Sequence, residues 1–283
     1  MRNYDFCFGC GFSCALTQAL RDAGLQYASY PFDWTATPSF LKAAQMIATD
    51  FAHWLDREDL ELVDIHFRGM NKRVYKNRRT TFGFVHDFSL FLPEEDAYRF
   101  EAEKYRRRAA RLMAEIAKAK RVLVPCVEWP MLAPLRPETL REVRRLLTER
   151  FPGVTFDLVY FHVAEGATSA KVEREEEGIT VVGCEYRKYL NGEIHHEIDN
   201  AQIVDFLKGF ATMADPRTEA EKAKYAVEWK KDDTGRWKGR NVWETIVNRT
   251  AFRIYRKTEK FLMKKGLVPL ERPQMFGTEN EPR

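Results

Sequence analysis

The stretch Tyr4-Asp5-Phe6-Cys7-Phe8-Gly9-Cys10-Gly11-Phe12-Ser13-Cys14-Ala15-Leu16-Thr17-Gln18-Ala19-Leu20 decides the fold, because it couples a strand to a helix. Residues 4–9 form a short apolar run of the kind a buried strand shows. From residue 13 to 23 the apolar positions recur at helical spacing, and Gly24 stands where a left-handed cap would end the helix. The strand therefore feeds the helix through Gly9-Cys10-Gly11-Phe12-Ser13, the opening unit of an α/β fold.

Downstream the alternation continues. Thr37-Pro38, a hydroxyl cap followed by proline at a first helical position, predicts a second helix running to about Leu55. The preceding Tyr30-Pro31-Phe32-Asp33-Trp34 is too apolar for an exposed loop and is expected to pack near the Cys14 turn. Residues 60–67 and 80–86 read as strands flanking a basic loop. Pro93-Glu94-Glu95-Asp96 opens a long helix whose acids match the positive end of its dipole, with Tyr105, Ala109, Leu112, Met113 and Ile116 as its apolar stripe. Arg121–Pro125 reads as a strand, residues 137–149 as a helix and 154–163 as a further apolar run. Lys171–Gly178 reads as a charged turn, Ile179–Tyr186 as a strand, and Asn191-Gly192 as a hairpin turn. The expected fold is α/β: a mostly parallel central sheet with flanking helices, a C-terminal β-hairpin and a basic helical extension. Residues 1–213 are expected to form the main domain. The extension, 214–283, carries Trp229, Trp237, Trp243 and a stripe through Val247, Ala251, Ile254 and Tyr255, and its last residues, from about 272, read as a disordered tail.

Composition narrows the function classes. The 283 residues are 45% hydrophobic and 31% charged, an ordinary globular balance, and no apolar run approaches the roughly 20 residues of a membrane span. Five cysteines, three of them within positions 7–14, fit reduced thiols better than a disulfide framework, and with no secretory leader visible a cytoplasmic location is expected. The net charge of +4 hides two basic stretches, one from Arg68 to Arg79 and one at Arg106, Arg107, Arg108 and Arg111. These read as a solvated loop and a solvated helix face, so no nucleic-acid partner is expected. Nor is a metal or other cofactor.

Chemistry concentrates at Gly11-Phe12-Ser13-Cys14. A cysteine in the first turn of a helix meets outward-pointing backbone N–H groups and the positive dipole end, which favour its thiolate and could also hold an oxyanion during acyl transfer. Such a nucleophile needs a base. Of the six histidines, His86 in Phe84-Val85-His86-Asp87-Phe88 ends a predicted strand, where sites form in open α/β sheets. His53 reads as a packing residue in the second helix, and His66, His162, His195 and His196 are alternatives. Two rival readings use other residues. Cys7-Phe8-Gly9-Cys10 has the Cys-x-x-Cys spacing of a thiol redox site, and Trp34, Trp54 and Trp129 could serve a non-catalytic, carbohydrate-linked factor as stacking surfaces.

Taken together, Gly11-x-x-Cys14, Pro31-Phe32-Asp33-Trp34 and His86-Asp87-Phe88 resemble a bacterial family of unknown function described as papain-like cysteine peptidases. Its pattern runs Ser-Leu-Gly-x-x-Cys, Pro-Phe-Asp-Trp, His-Asp-Phe, and the likeness spans roughly the first 130 residues. Gly9 and Cys10 depart from it, standing where the family has Ser and Leu. The resemblance implies a hydrolase or acyl transferase with Cys14 as nucleophile and His86 as base, acting on a peptide, amide or glycoconjugate. The orienting carboxylate is Asp87 or Asp33. Gly11 and Ser13 shape the oxyanion turn, and Phe32 and Trp34 wall the substrate cleft.

Overall fold

A computed structural model describes residues 1–65, 72–220 and 222 of the chain. At its centre is a five-stranded sheet built from β2 (Phe6–Cys7), β7 (Arg121–Val127), β8 (Thr155–Val163), β9 (Lys171–Glu176) and β10 (Ile179–Cys184), in the spatial order β2-β7-β8-β10-β9. All neighbours are parallel except β9, which returns antiparallel to β10 through Glu177-Gly178. The predicted mostly parallel sheet with flanking helices is thus present. Parallel strands must be covered on both faces, and here alternate residues do separate between two cores. Val122, Val124, Phe156, Leu158 and Tyr160 join one, and Leu123, Val127, Val159 and Phe161 the other.

The second core is closed by α1 (Cys14–Asp22) and α5 (Ala201–Phe210), through Leu16, Ala19, Leu20, Ile203 and Leu207. The first receives α2 (Phe40–Ala48), α3 (Glu94–Lys118) and α4 (Pro137–Arg150), together with an antiparallel sheet of β3 (Thr35–Ala36), β4 (Leu60–Ile65), β5 (Arg73–Asn77) and β6 (Gly83–Phe84), ordered β3-β6-β5-β4. The expected stripe on α3 is confirmed, with Tyr105, Leu112 and Ile116 buried. β11 (Arg187–Leu190) and β12 (Glu193–Ile198) form the predicted hairpin, in which Asn191 and Gly192 both take positive φ, 54° and 82°. β1 (Arg2–Tyr4) pairs in parallel with β13 (Ala211–Met213). Among the described residues no helix is long and apolar enough to cross a membrane. The extension's tryptophans, its apolar stripe and the tail lie outside the described residues, as do His66 and Arg68.

Several boundaries differ from expectation for local reasons. α2 is capped by Ser39, whose Oγ accepts from the Lys42 N–H at 3.2 Å, rather than by Thr37. It ends at Ala48, because Asp50, Phe51 and His53 take positive φ and leave the helix, so His53 is a turn residue. β5 is a strand inside what read as a basic loop. β9 is a strand where a charged turn was expected; its polar, largely exposed residues form a sheet edge, where charge discourages pairing with another chain. β7 continues through Pro125 to Val127, so its polar ending is Glu128. Because Pro125 has no N–H to donate towards the neighbouring edge, formal pairing with β2 is short.

The extended chain nevertheless runs on beside β7. Phe8, Cys10 and Phe12 donate their N–H groups to the carbonyls of Leu123, Pro125 and Val127, at 3.2, 3.0 and 2.9 Å. This ladder carries the chain past the sheet's carboxyl edge before it turns into α1. Gly11 is needed there for space, since a Cβ would lie 2.8 Å from both Cβ and Cδ2 of Leu16. Gly11→Ala should therefore cost about 1–3 kcal/mol by overpacking. Gly209→Ala, in α5 with open space around it, should be neutral or gain up to about 1 kcal/mol from helix propensity. Urea unfolding of the two variants should give midpoints shifted in opposite directions, or a shift for Gly11→Ala alone.

Candidate functional site

Cys14 is the first residue of α1. Ser13 precedes it in extended conformation (φ −139°, ψ 168°) as the N-cap, its Oγ accepting from the Ala15 N–H at 3.3 Å. The first N–H groups of a helix have no intrahelical acceptors, and the cap engages one of them. Cys14 is half-buried, whereas Cys7, Cys10, Cys126 and Cys184 are buried, and none of the five is in a disulfide. The ladder from Phe8 to Phe12 puts the turn beside the end of β7, where the Phe12 ring lies 4.1 Å from that of Trp129. Asn200, at the start of α5, donates its side-chain amide to the Ala15 carbonyl at 2.9 Å and ties down the first turn of α1.

The Pro31–Trp34 segment is a 3-10 turn packed on α1, as its apolar character predicted. Thr17, one turn beyond Cys14, donates its hydroxyl to the Asp33 carbonyl at 3.2 Å. The Arg21 guanidinium lies 5.6 Å over the Trp34 ring, and that ring meets His86 edge-on at 5.9 Å between centroids. Antiparallel pairing of Thr35 with Phe84 brings the end of the turn alongside Val85 and His86. The aromatic contact of Trp34 with His86 thus links the histidine motif to the face of α1 that begins at Cys14. His86 itself is half-buried, just past the end of β6.

The two proposed orienting carboxylates are held in different ways. Asp33 is 1% exposed; its Oδ2 accepts from the Tyr30 N–H at 2.8 Å and from Gln26 Nε2 at 2.6 Å, locking the turn that presents Trp34. Burial raises its carboxyl above the ordinary carboxylate value, against the lowering effect of these hydrogen bonds and of Arg21 and Arg108. Asp87 is also buried, but both its oxygens face α3, with Lys104 at Oδ1 and the Tyr105 hydroxyl at Oδ2, 2.7 Å away. Phe32 is a correction: it is 1% exposed among Phe51, Trp54 and Phe82 and belongs to the core rather than to a cleft wall. Trp34 is half-buried. Trp54, offered as a stacking surface, is likewise a core residue at 4% exposure.

His53 and His162 are engaged elsewhere. His53 Nδ1 is 2.6 Å from Asp56, and with Asp59 these form a group of three candidate metal ligands, their ligand atoms within 4.8 Å of one another. His162, at the end of β8, has one ring nitrogen 2.8 Å from Glu173 and the other 3.1 Å from the Val163 carbonyl. His195 and His196 fall on β12. The Cys-x-x-Cys pair is split by the sheet, Cys7 entering one core and Cys10 the other. Burial drives both thiols well above their ordinary value, the reverse of what a reactive redox pair needs.

Two features escaped the sequence reading. Glu128 is a buried acid, 7% exposed, at the carboxyl end of β7 beside the Cys14 turn, and its carbonyl accepts from the Tyr186 hydroxyl at 3.0 Å. A lone glutamate ending the apolar run before Trp129 was the available signal. The second is a basic cleft between the loop after α1 and α3, to which Arg107, Arg108 and Arg111 contribute. No protein-family model matches the chain, and neither a curated protein nor a solved structure matches it.

The raised carboxyl of Asp33 has a signed consequence. In the unfolded chain it ionises near 3.8, in the native protein only at higher pH, so the native state binds more protons in between and stability falls as pH rises from about 4 through the native value. Asp33→Asn removes that dependence. Thermal midpoints measured from pH 4 to 7 should show the wild type losing ground relative to Asp33→Asn as pH increases.

Proposed function

We propose that the protein is a cysteine-dependent acyl-transfer enzyme, a hydrolase or transferase of the papain-like kind, working in a reducing cytoplasm. The observation that carries this is that Cys14 alone among the five cysteines is only half-buried, at the first position of a helix that starts on the carboxyl edge of a parallel sheet. Ligand and catalytic sites in open α/β sheets form at that edge.

In this reading His86 takes the Cys14 thiol proton and the thiolate attacks a carbonyl carbon. Backbone N–H groups at the α1 N-terminus, shaped by Gly11 and Ser13, hold the oxyanion. His86 then returns the proton to the departing amine or alcohol, leaving a thioester on Cys14. Water resolves the thioester in a hydrolase; an amine or hydroxyl acceptor does so in a transferase. Trp34 holds the imidazole by its edge and lines the approach. Asp33 locks the turn that carries Trp34, and Asp87 anchors the His86 segment to α3, so both act as positioning residues. The substrate class is a peptide, amide or glycoconjugate. A second reading, a non-catalytic carbohydrate-associated factor, is favoured by half-buried Trp34 and Trp129, the one against Arg21 of α1 and the other against Phe12 before it.

Because the other four thiols are buried, iodoacetamide should label the native protein at Cys14, identifiable by peptide mass spectrometry. Its rate against pH should report an apparent pKa below the roughly 8.5 of a free thiol, and His86→Ala, checked for native circular dichroism, should move it upward. A free-thiol pKa that His86→Ala leaves unchanged would reject the catalytic pair in favour of the non-catalytic reading.

A further inference from the structure

The cleft between the loop following α1 and the outer face of α3 has a volume of about 620 Å³. Its walls carry seven cationic side chains: Arg21 from α1, Lys104, Arg107, Arg108 and Arg111 from α3, and Arg217 and Lys222 from the chain beyond β13. Gln26, Tyr27, Ala28 and Ser29 complete it, and no acidic side chain is among the described residues lining it. Positions 104, 107, 108 and 111 fall on one helical face, adjoining the stripe that Tyr105 and Leu112 bury, so packing of α3 turns them towards the α1 loop.

The cations are held in place by neighbouring groups. Arg21 donates to Ser29 Oγ at 3.1 Å and Arg111 to the Ser29 carbonyl at 3.2 Å. Arg108 lies 5.3 Å over the Tyr105 ring, and Arg217, paired with Asp215, lies 4.5 Å over Tyr27. Lys104 bonds to Asp87 and Glu101, Arg107 pairs with Glu103, and Lys222 pairs with Glu219 at 2.6 Å. Asp33 lies near Arg21 and Arg108, but its burial works against its charge. Guanidinium groups gathered around one concavity attract anions, and their planar forks match phosphate oxygens two at a time.

We propose that this cleft binds a small molecule bearing a di- or triphosphate group. The volume lies within the range of small-molecule sites, and the seven cations outnumber the five carboxylates bonded to them, Asp87, Glu101, Glu103, Asp215 and Glu219. The site stands independently of any role for Cys14.

The test is calorimetric titration of the full chain with inorganic pyrophosphate, in low and moderate salt. One saturable site is expected, weakening as salt rises and excluding a nucleoside diphosphate in competition. Arg107→Gln and Arg111→Gln alter exposed positions of α3 and should each weaken pyrophosphate at least tenfold with the thermal midpoint retained. Arg106→Gln, on the same helix but outside the cleft, should leave binding unchanged. Absence of saturable binding would overturn the proposal, as would equal affinity in all three variants. So would tight binding of a single-stranded oligonucleotide that pyrophosphate does not displace, which would make the cleft part of a nucleic-acid surface.

Discussion

Three backbone hydrogen bonds hold the candidate site together. Phe8, Cys10 and Phe12 hang on Leu123, Pro125 and Val127, at the edge of the sheet where Pro125 has withdrawn its own donor. The formal strand is two residues long, yet the chain stays extended for five more and delivers Ser13 and Cys14 past the sheet's carboxyl edge. The turn into α1 then closes only because Gly11 leaves room for Leu16. Packing of Leu16, Ala19 and Leu20 into one of the two cores holds the helix, and hence its capped N-terminus, in one orientation.

A second support comes from the opposite side of α1. The 3-10 turn at Pro31–Trp34 is stabilised from within by Asp33, whose carboxylate does the work a backbone carbonyl would do elsewhere, and from outside by Phe32 sunk among Phe51, Trp54 and Phe82. Trp34 remains partly open between Arg21 and His86. The motifs that lie far apart in sequence are therefore joined by a short relay of contacts: Thr17 on Asp33, Trp34 on His86, Asp87 on Lys104 and Tyr105.

Much of this was legible in the sequence, for identifiable reasons. The parallel strands announced themselves as unbroken apolar runs, α3 and α4 by stripes at helical spacing, and the hairpin by Asn191-Gly192, whose residues both need positive φ. The start of α1 was readable because apolar residues begin to recur at helical spacing there and a strand precedes it through a glycine-containing turn. What escaped were features set by tertiary contact. β9 has no alternation because it is a charged edge, and α2 stops early because Asp50 and Phe51 adopt backbone conformations that no residue pattern there signals. Phe32 looked like a cleft residue from its motif, but motifs do not reveal depth. The arginines of α3 are solvated as their pattern suggested, but one helix face cannot show which loop it will meet to form a cleft.

The order of strands also says something about how the molecule comes to exist. β7, β8 and β10 are close neighbours in sequence and can collapse together, whereas β2 must wait for β7, more than a hundred residues later, and β1 must wait for β13. Long loops close slowly because their entropy is lost before contacts repay it. The strands that precede the Cys14 turn are thus made before their partners and docked late, and the turn comes into being only when nearly the whole described chain has been made. Until then Cys7 and Cys10 stay in water, so an oxidising environment during synthesis endangers this fold more than the finished protein.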